Sequence, residues 1–323
     1  MCHDSSGRNR PHRIARRPDP GPAGAGASAV SIRPTSPRSV AVTVARLDES
    51  SAWRRYTTDA TGAGWVRLDE RLADAVALDD WYREELDGTA RGHADLAGSL
   101  IVYRFAGALA ELVVGPVLDQ QRCPVLTPAA VSLRFGEAAR LDVLSVTTPT
   151  VAVLADDPDA EAPGTMVVAS DTDLRAVAVE GLAAVFGPLT TAVRARAPFG
   201  LRGMWGTLAD HLAEVAVRRA RERGRDVEAA WRAADTLIAE LAARQPLLRA
   251  RPRRQVVTTA DAGTSTFVAK GTCCLIYKAE TGGGSGTQQI ASAACTSCPL
   301  RQAEDRARRF AGYLAQLSGR QRP

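Results

Sequence analysis

Lysine is almost missing from this chain: only Lys270 and Lys278, against 39 arginines. We read this arginine-rich, alanine-rich composition as a genome preference that specifies no chemistry by itself. Aromatic residues are also scarce, at 5%. Six cysteines in 323 residues are too few for a disulfide framework. No uninterrupted apolar run reaches the length of a membrane span. The longest, Phe105 to Leu118, is broken by Glu111 and Pro116. The twin arginine Arg16-Arg17 lacks the apolar segment of a secretory signal after it. These absences predict no transmembrane segment and a cytoplasmic location, leaving peripheral membrane contact open. In that compartment thiols stay reduced, and clustered cysteines mean metal rather than disulfide. A phosphate-cradling loop is missing too. Gly282-Gly283-Gly284 has neither the lysine nor the strand–turn–helix setting that such a loop needs.

The net charge of +5 does not predict a nucleic-acid partner, because its distribution is wrong for one. Residues 1–38 hold seven arginines and two aspartates. Residues 39–217 hold 15 basic and 25 acidic side chains, and residues 218–323 hold 19 basic and nine acidic ones. The part beyond the tail is neutral but polarised, which suits docking of a charged partner or packing of one part on the other.

What is present is enough apolar material for a proper core, 45% hydrophobic residues in 34.2 kDa. Residues 1–38 are Arg, Pro, Gly, Ala and Ser in near-random order and predict a disordered tail. The helical period predicts helices over 70–90, over 94–114 with Pro116 as terminator, and over 172–195 with Asp171 as cap. Further helices are predicted over 203–222, 226–244 and 303–317. Between them lie β-branched runs at Ala130–Phe135, Leu141–Thr147, Val151–Leu154 and Thr165–Ala169, and later at Val256–Thr259 and Thr266–Tyr277. The expected class is α+β, predominantly helical, with a small antiparallel sheet. The expected organisation is a tail (1–38), a helical α+β domain (39–250) and a C-terminal cysteine-bearing lobe with a terminal helix (251–323).

Four cysteines fall within 26 residues: Cys273, Cys274, Cys295 and Cys298, in the pattern C-C-x20-C-x2-C-P. Four thiolates are the usual complement of an iron–sulfur cluster or a structural zinc. The adjacent pair is a poor zinc knuckle, since neighbouring side chains of extended backbone point to opposite faces. A two-iron cluster has a wider footprint and accepts such a pair more easily. The spacing leaves both metals open. Cys2 in the tail and Cys123 alone before Pro124 are expected to be inert.

The stretch Gly271-Thr272-Cys273-Cys274-Leu275-Ile276-Tyr277-Lys278, followed by Cys295-Thr296-Ser297-Cys298-Pro299-Leu300, resembles the C-terminal motif of the FhuF-like ferric-siderophore reductases. Upstream, Gly200-Leu201-Arg202-Gly203-Met204-Trp205-Gly206-Thr207-Leu208-Ala209 is similar to that family's Arg–Trp–Gly helix start. The spacer between the cysteine pairs is longer than usual there, with its excess in Gly, Ser, Thr, Gln and Ala at 282–293. The resemblance implies a C-terminal iron–sulfur lobe in which Cys273, Cys274, Cys295 and Cys298 bind a [2Fe–2S] cluster. It implies an oxidoreductase that reduces the Fe³⁺ of a ferric siderophore by one electron and releases Fe²⁺. The implied electron source is a donor protein or a flavin reductant. The alternative is a zinc-stabilised four-cysteine binding module without redox activity.

Other residues carry weaker expectations. Arg202 and Trp205 are candidates for a substrate surface, though Trp205 also suits the core. His211 is expected on a helix surface. Arg218, Arg219, Arg221, Arg223 and Arg225 read as a solvated face, or as a dock for an acidic donor or an anionic ferric complex. Arg249, Arg251, Arg253 and Arg254 have the same two readings.

Overall fold

The computed structural model of the chain describes residues 38–51, 55–136, 141–260, 263–281, 290 and 292–320. The proposed disordered tail, Cys2 and the Gly-rich run at 282–286 lie outside these residues, apart from Arg38.

The fold is built around one helix. α4 (Ala94–Gln120) is apolar nearly all round, and Leu96–Val102 and Phe105–Pro116 are buried without interruption. Such a helix has no solvent face and must be wrapped on all sides. α1 (Arg38–Glu49) lays Val40, Val44 and Leu47 against it at helical spacing. α5 (Asp171–Arg194), α6 (Leu201–Glu222) and α7 (Val227–Arg244) cover other faces. Small residues permit the close crossings. A side chain on Gly98 would strike Ala197, and one on Gly115 would strike Leu47 and the Arg219 guanidinium.

Pro116 does not end α4 as its chemistry suggests. The helix continues to Gln120 and closes on Gln121, which takes a left-handed conformation (φ 53°) with its N–H bonded to the Pro116 carbonyl. Burial of the surrounding turns outweighs the one backbone bond that proline removes. The single helix expected over 70–90 is two, α2 (Leu68–Ala73) and α3 (Ala75–Asp87), because Asp74 leaves helical geometry to cap α3 through Ala77 N–H. α5 is capped by Ser170, one residue before the expected Asp171.

The class is α+β, but the strands do not form one antiparallel sheet. β1 (Arg55–Thr57), β2 (Trp65–Arg67), β4 (Val131–Phe135) and β5 (Leu141–Val146) make a sheet of order β1-β5-β4-β2, in which β1 runs parallel to β5. β3 (Arg122–Pro124), β6 (Val151–Leu154) and β7 (Thr165–Val168) make a second, with β6 parallel to β7. The loop from β6 to β7 supplies Asp157 and Asp159, which grip the buried Arg122 at 2.6 and 2.8 Å. β8 (Arg253–Thr259) and β9 (Gly263–Ala269) form an antiparallel hairpin. The strand expected over Thr266–Tyr277 stops at Ala269, and the chain then turns into α8 (Tyr277–Thr281). The hairpin and α9 (Ala303–Arg320) share a small core of Val257, Phe267, Phe310 and Leu314, with the two phenyl rings stacked at 4.5 Å.

The expectation that nothing reaches the length of a membrane span needs correcting. α4 and α5 are both long and apolar enough by length and composition, but 83% of the apolar window of α4 and half of that of α5 are buried inside this fold.

Candidate metal centre

One helix reaches both halves of the cysteine motif. Arg202, Gly206, Asp210 and Glu214 follow one another at intervals of four along α6, the spacing of a single ridge on a helix surface. Gly206 faces Thr272 so closely that any side chain there would collide with the threonine methyl. Asp210, almost fully buried, accepts the Gly271 N–H at 2.7 Å, the Thr272 N–H at 3.0 Å and the Thr272 hydroxyl at 2.5 Å. Burial pushes the Asp210 carboxyl up to about 7, against these hydrogen bonds and the Lys270 ammonium, which act the other way. Gly271 rests on the Arg251 backbone, with no room for a Cβ. The turn before Cys273 is therefore clamped between α6 and the segment leading into β8. Past the cysteine pair, Leu275 takes a left-handed conformation (φ 61°) that non-glycine residues rarely adopt. Its N–H thereby lies 3.4 Å from Cys273 Sγ. Ser99 Oγ donates to the Cys274 carbonyl at 2.8 Å.

The second half, Cys295–Cys298, is held from beneath. Cys298 N–H bonds to the Cys295 carbonyl at 3.1 Å, and Lys270 N–H to the Ser297 carbonyl at 2.9 Å, tying this loop to the end of β9. Two buried arginines complete the support. Arg301 donates to the carbonyls of Cys295 (2.9 Å) and Ala294, and Arg306 to those of Cys298 (3.3 Å) and Arg301 (2.5 Å). Asp305 holds Arg301 in turn at 2.7 Å. Burial opposes ionisation of Asp305, but hydrogen bonds from Arg301, Arg309 and Arg308 bring its carboxyl down to about 2.

Three of the four thiols meet. Cys273 and Cys295 both hydrogen-bond the Cys298 thiol, which these bonds and its burial hold far above the ordinary thiol range. The bond from Cys298 lowers the Cys273 thiol, outweighing the burial that opposes it. Ser297 Oγ lies 3.8 Å from Cys295 Sγ. Cys274 is buried and lines a narrow cleft with Tyr103, Thr207, Asp210, His211, Lys270 and Thr272. Among the described residues, no three His, Cys, Asp or Glu side chains are already arranged around one point as ligands of an ion. The donor set nevertheless fits a thiolate-bound iron–sulfur group. Soft sulfurs from both halves of the motif lie near one another, and the Leu275 N–H and the Ser297 hydroxyl lie beside sulfur atoms, where polar neighbours would tune a bound group.

No family model matches the chain, and no curated protein matches it.

The remaining candidates sort by burial. Arg202 is exposed at the outer end of the α6 ridge. Trp205 does not line a surface: it is 2% exposed, and its indole packs edge-on against Phe186 at 5.1 Å. His211 is not on a helix surface either. Its ring lies 4.4 Å from that of Tyr103 and its Nδ1 3.9 Å from Glu214. The arginine run that opens at Arg218 is only partly solvated, because α6 is covered by α4. Arg218 pairs with Glu111 at 2.6 Å, and Arg219, Arg223 and Arg225 converge on Asp119 at 2.6–2.8 Å. Arg254 pairs with Glu228, while Arg249, Arg251 and Arg253 form no ion pair among the described residues. Cys123 is fully buried, and burial pushes its thiol up to about 12, in keeping with an inert role. The expectations missed Asp210, Glu214, Lys270, Arg301 and Arg306. Two signals for them were present: the four-residue spacing from Gly206, and the placing of both lysines of the chain just outside the cysteine pair.

Proposed function

We propose that Cys273, Cys274, Cys295 and Cys298 hold a [2Fe–2S] cluster and that the protein reduces ferric siderophores in the cytoplasm, releasing Fe²⁺. The observation that supports this best is the meeting of Cys273, Cys295 and Cys298 with an N–H and a hydroxyl beside their sulfurs. A bound cluster supplies a carrier of one electron at a time. One electron suffices for the substrate. Hard oxygen ligands grip Fe³⁺ strongly and the larger, less charged Fe²⁺ far less, so reduction turns a locked complex into a labile one.

The protein's own residues position and select in this reading. Asp210 and Gly206 set the first cysteine pair against α6, and Arg301 and Arg306 set the second. The exposed arginines Arg249, Arg251 and Arg253 flank the segment on which Gly271 rests, and Arg202 stands at the end of the same ridge. Guanidinium groups with no carboxylate partner suit an anionic ferric complex, or the acidic face of a donor protein or flavin reductant.

The test is direct. Protein purified and reconstituted without oxygen is expected to contain two irons and two acid-labile sulfides per chain and to be red-brown. It is expected to give an EPR signal after one-electron reduction and to be re-oxidised on mixing with ferric siderophores. Cys298→Ser is expected to bleach the colour. Stoichiometric zinc with neither iron nor sulfide would replace this reading with the zinc-held binding module.

A further inference from the structure

A buried lysine stands behind the candidate centre. Lys270 is 2% exposed, at the end of β9, three residues before Cys273. Its Nζ lies 3.3 Å from Glu214 Oε2 and 3.4 Å from the Tyr103 hydroxyl, and 4.8 Å from the centre of the tyrosine ring. Glu214 Oε1 accepts the Ser297 hydroxyl at 3.2 Å, and Ser297 Oγ is 3.8 Å from Cys295 Sγ. A continuous polar chain thus runs from ammonium to carboxylate to hydroxyl to sulfur, joining the end of β9, α6 and the Cys295–Cys298 loop. Burial would raise the Glu214 carboxyl, but the lysine ammonium paired with it at 3.3 Å helps bring it below its ordinary value.

Burying an ion pair carries a desolvation penalty that its own attraction often does not recover, so stability is a weak reason for its presence. Charge placement is a stronger one. The ammonium is a compact point charge that fits a narrow site, whereas a guanidinium is a wide five-donor fork. In a chain with 39 arginines, this fully enclosed position holds one of only two lysines, the more compact of the two cations.

We propose that Lys270 and Glu214 are positioning residues that set the reduction potential of the centre by opposing charges, Lys270 favouring the reduced state and Glu214 the oxidised one. The inference rests on the cluster reading given above. Reduction adds one negative charge at the sulfur-bound irons. A fixed cation nearby in a low-dielectric setting stabilises that charge, and a fixed anion destabilises it. Their proximity makes the pair nearly neutral as a unit, so each masks the other.

The test uses the full chain reconstituted with ferrous iron and sulfide under anaerobic conditions, and reads the potential by EPR-monitored titration. Lys270→Met is expected to shift the potential to a more negative value and Glu214→Gln to a more positive one. The double variant is expected to return close to the parent. Lys270→Arg restores the charge but not the fit, and is expected to recover the potential only if the cluster still loads fully. Single variants that load a cluster and leave the potential unchanged, or shift it in the same direction, overturn the proposal while leaving the cluster reading intact. If Lys270→Met does not fold, a Glu214→Gln variant without a positive shift is sufficient to overturn it. A parent protein that takes up no iron and sulfide overturns the cluster reading itself, and this proposal with it.

Discussion

Removing the Asp210 carboxylate tests whether α6 positions the cysteine turn. In Asp210→Ala the Gly271 and Thr272 N–H groups, bonded at 2.7 and 3.0 Å, lose their acceptor in a buried site. An unsatisfied buried donor costs about 1–3 kcal/mol, so two of them cost about 2–6 kcal/mol. The Thr272 hydroxyl can turn elsewhere and adds little. For a domain of this size about 1 kcal/mol corresponds to roughly 2–4 °C, so the melting temperature is expected to fall by roughly 4–24 °C. Asp210→Asn keeps one acceptor oxygen and is expected to lose about half as much. The exposed Asp235→Ala serves as control and is expected to stay within about 0.5 kcal/mol of the parent. The assay is urea unfolding followed by circular dichroism, paired with the rate at which Cys273 is alkylated in the native protein. Faster labelling of Cys273 in Asp210→Ala, at a urea concentration where the rest of the chain is folded, reports local release of the turn. If Asp210→Ala loses less than about 1 kcal/mol and labels at the parent rate, the clamp described here does not exist.

Gly271→Ala places a methyl group inside the Arg251 backbone and is expected to destabilise by about 1–3 kcal/mol, whereas Gly224→Ala, with open space around it, is expected to cost only its left-handed strain; thermal melts of both check this. Cys123 is expected to resist alkylation in the native protein at pH 8, since its thiol is buried and pushed up to about 12, and to label only on unfolding; mass spectrometry of labelled peptides reads this directly. Asp305 has its carboxyl brought down to about 2, so its hold on Arg301 is fully present above its ordinary value near 4 and is lost as pH falls through 2. Asp305→Asn is therefore expected to lower stability at pH 6, with the difference shrinking through pH 2 and vanishing only below it, as acid-titrated unfolding curves of the two proteins would reveal.

The helices were the most readable part of the sequence, because their apolar stripes repeat at the helical period over many turns. α6 and α7 begin and end within two residues of the expectation. The errors occur where packing overrules local chemistry. Pro116 looks like a terminator, yet α4 is so deeply enclosed that it runs on for another turn. Strand partners were not readable, since parallel pairing of β1 with β5 joins segments some 90 residues apart and leaves no local mark. The four cysteines stood out by residue type and spacing alone. Their support did not: Asp210 and Glu214 belong to a helix some 60 to 80 residues upstream, and only the tertiary fold brings them to Thr272 and Ser297. Arg301 and Arg306 looked like ordinary surface charge in an arginine-rich chain, and their aim at backbone carbonyls cannot be inferred from composition.

Asp210 and Glu214 sit one turn apart on the same rigid rod, and each grasps a different half of the cysteine motif. The spacing of the two halves is consequently written in α6, like two notches on a ruler. A change that bends or unwinds this helix between residues 210 and 214 would shift one half of the motif against the other.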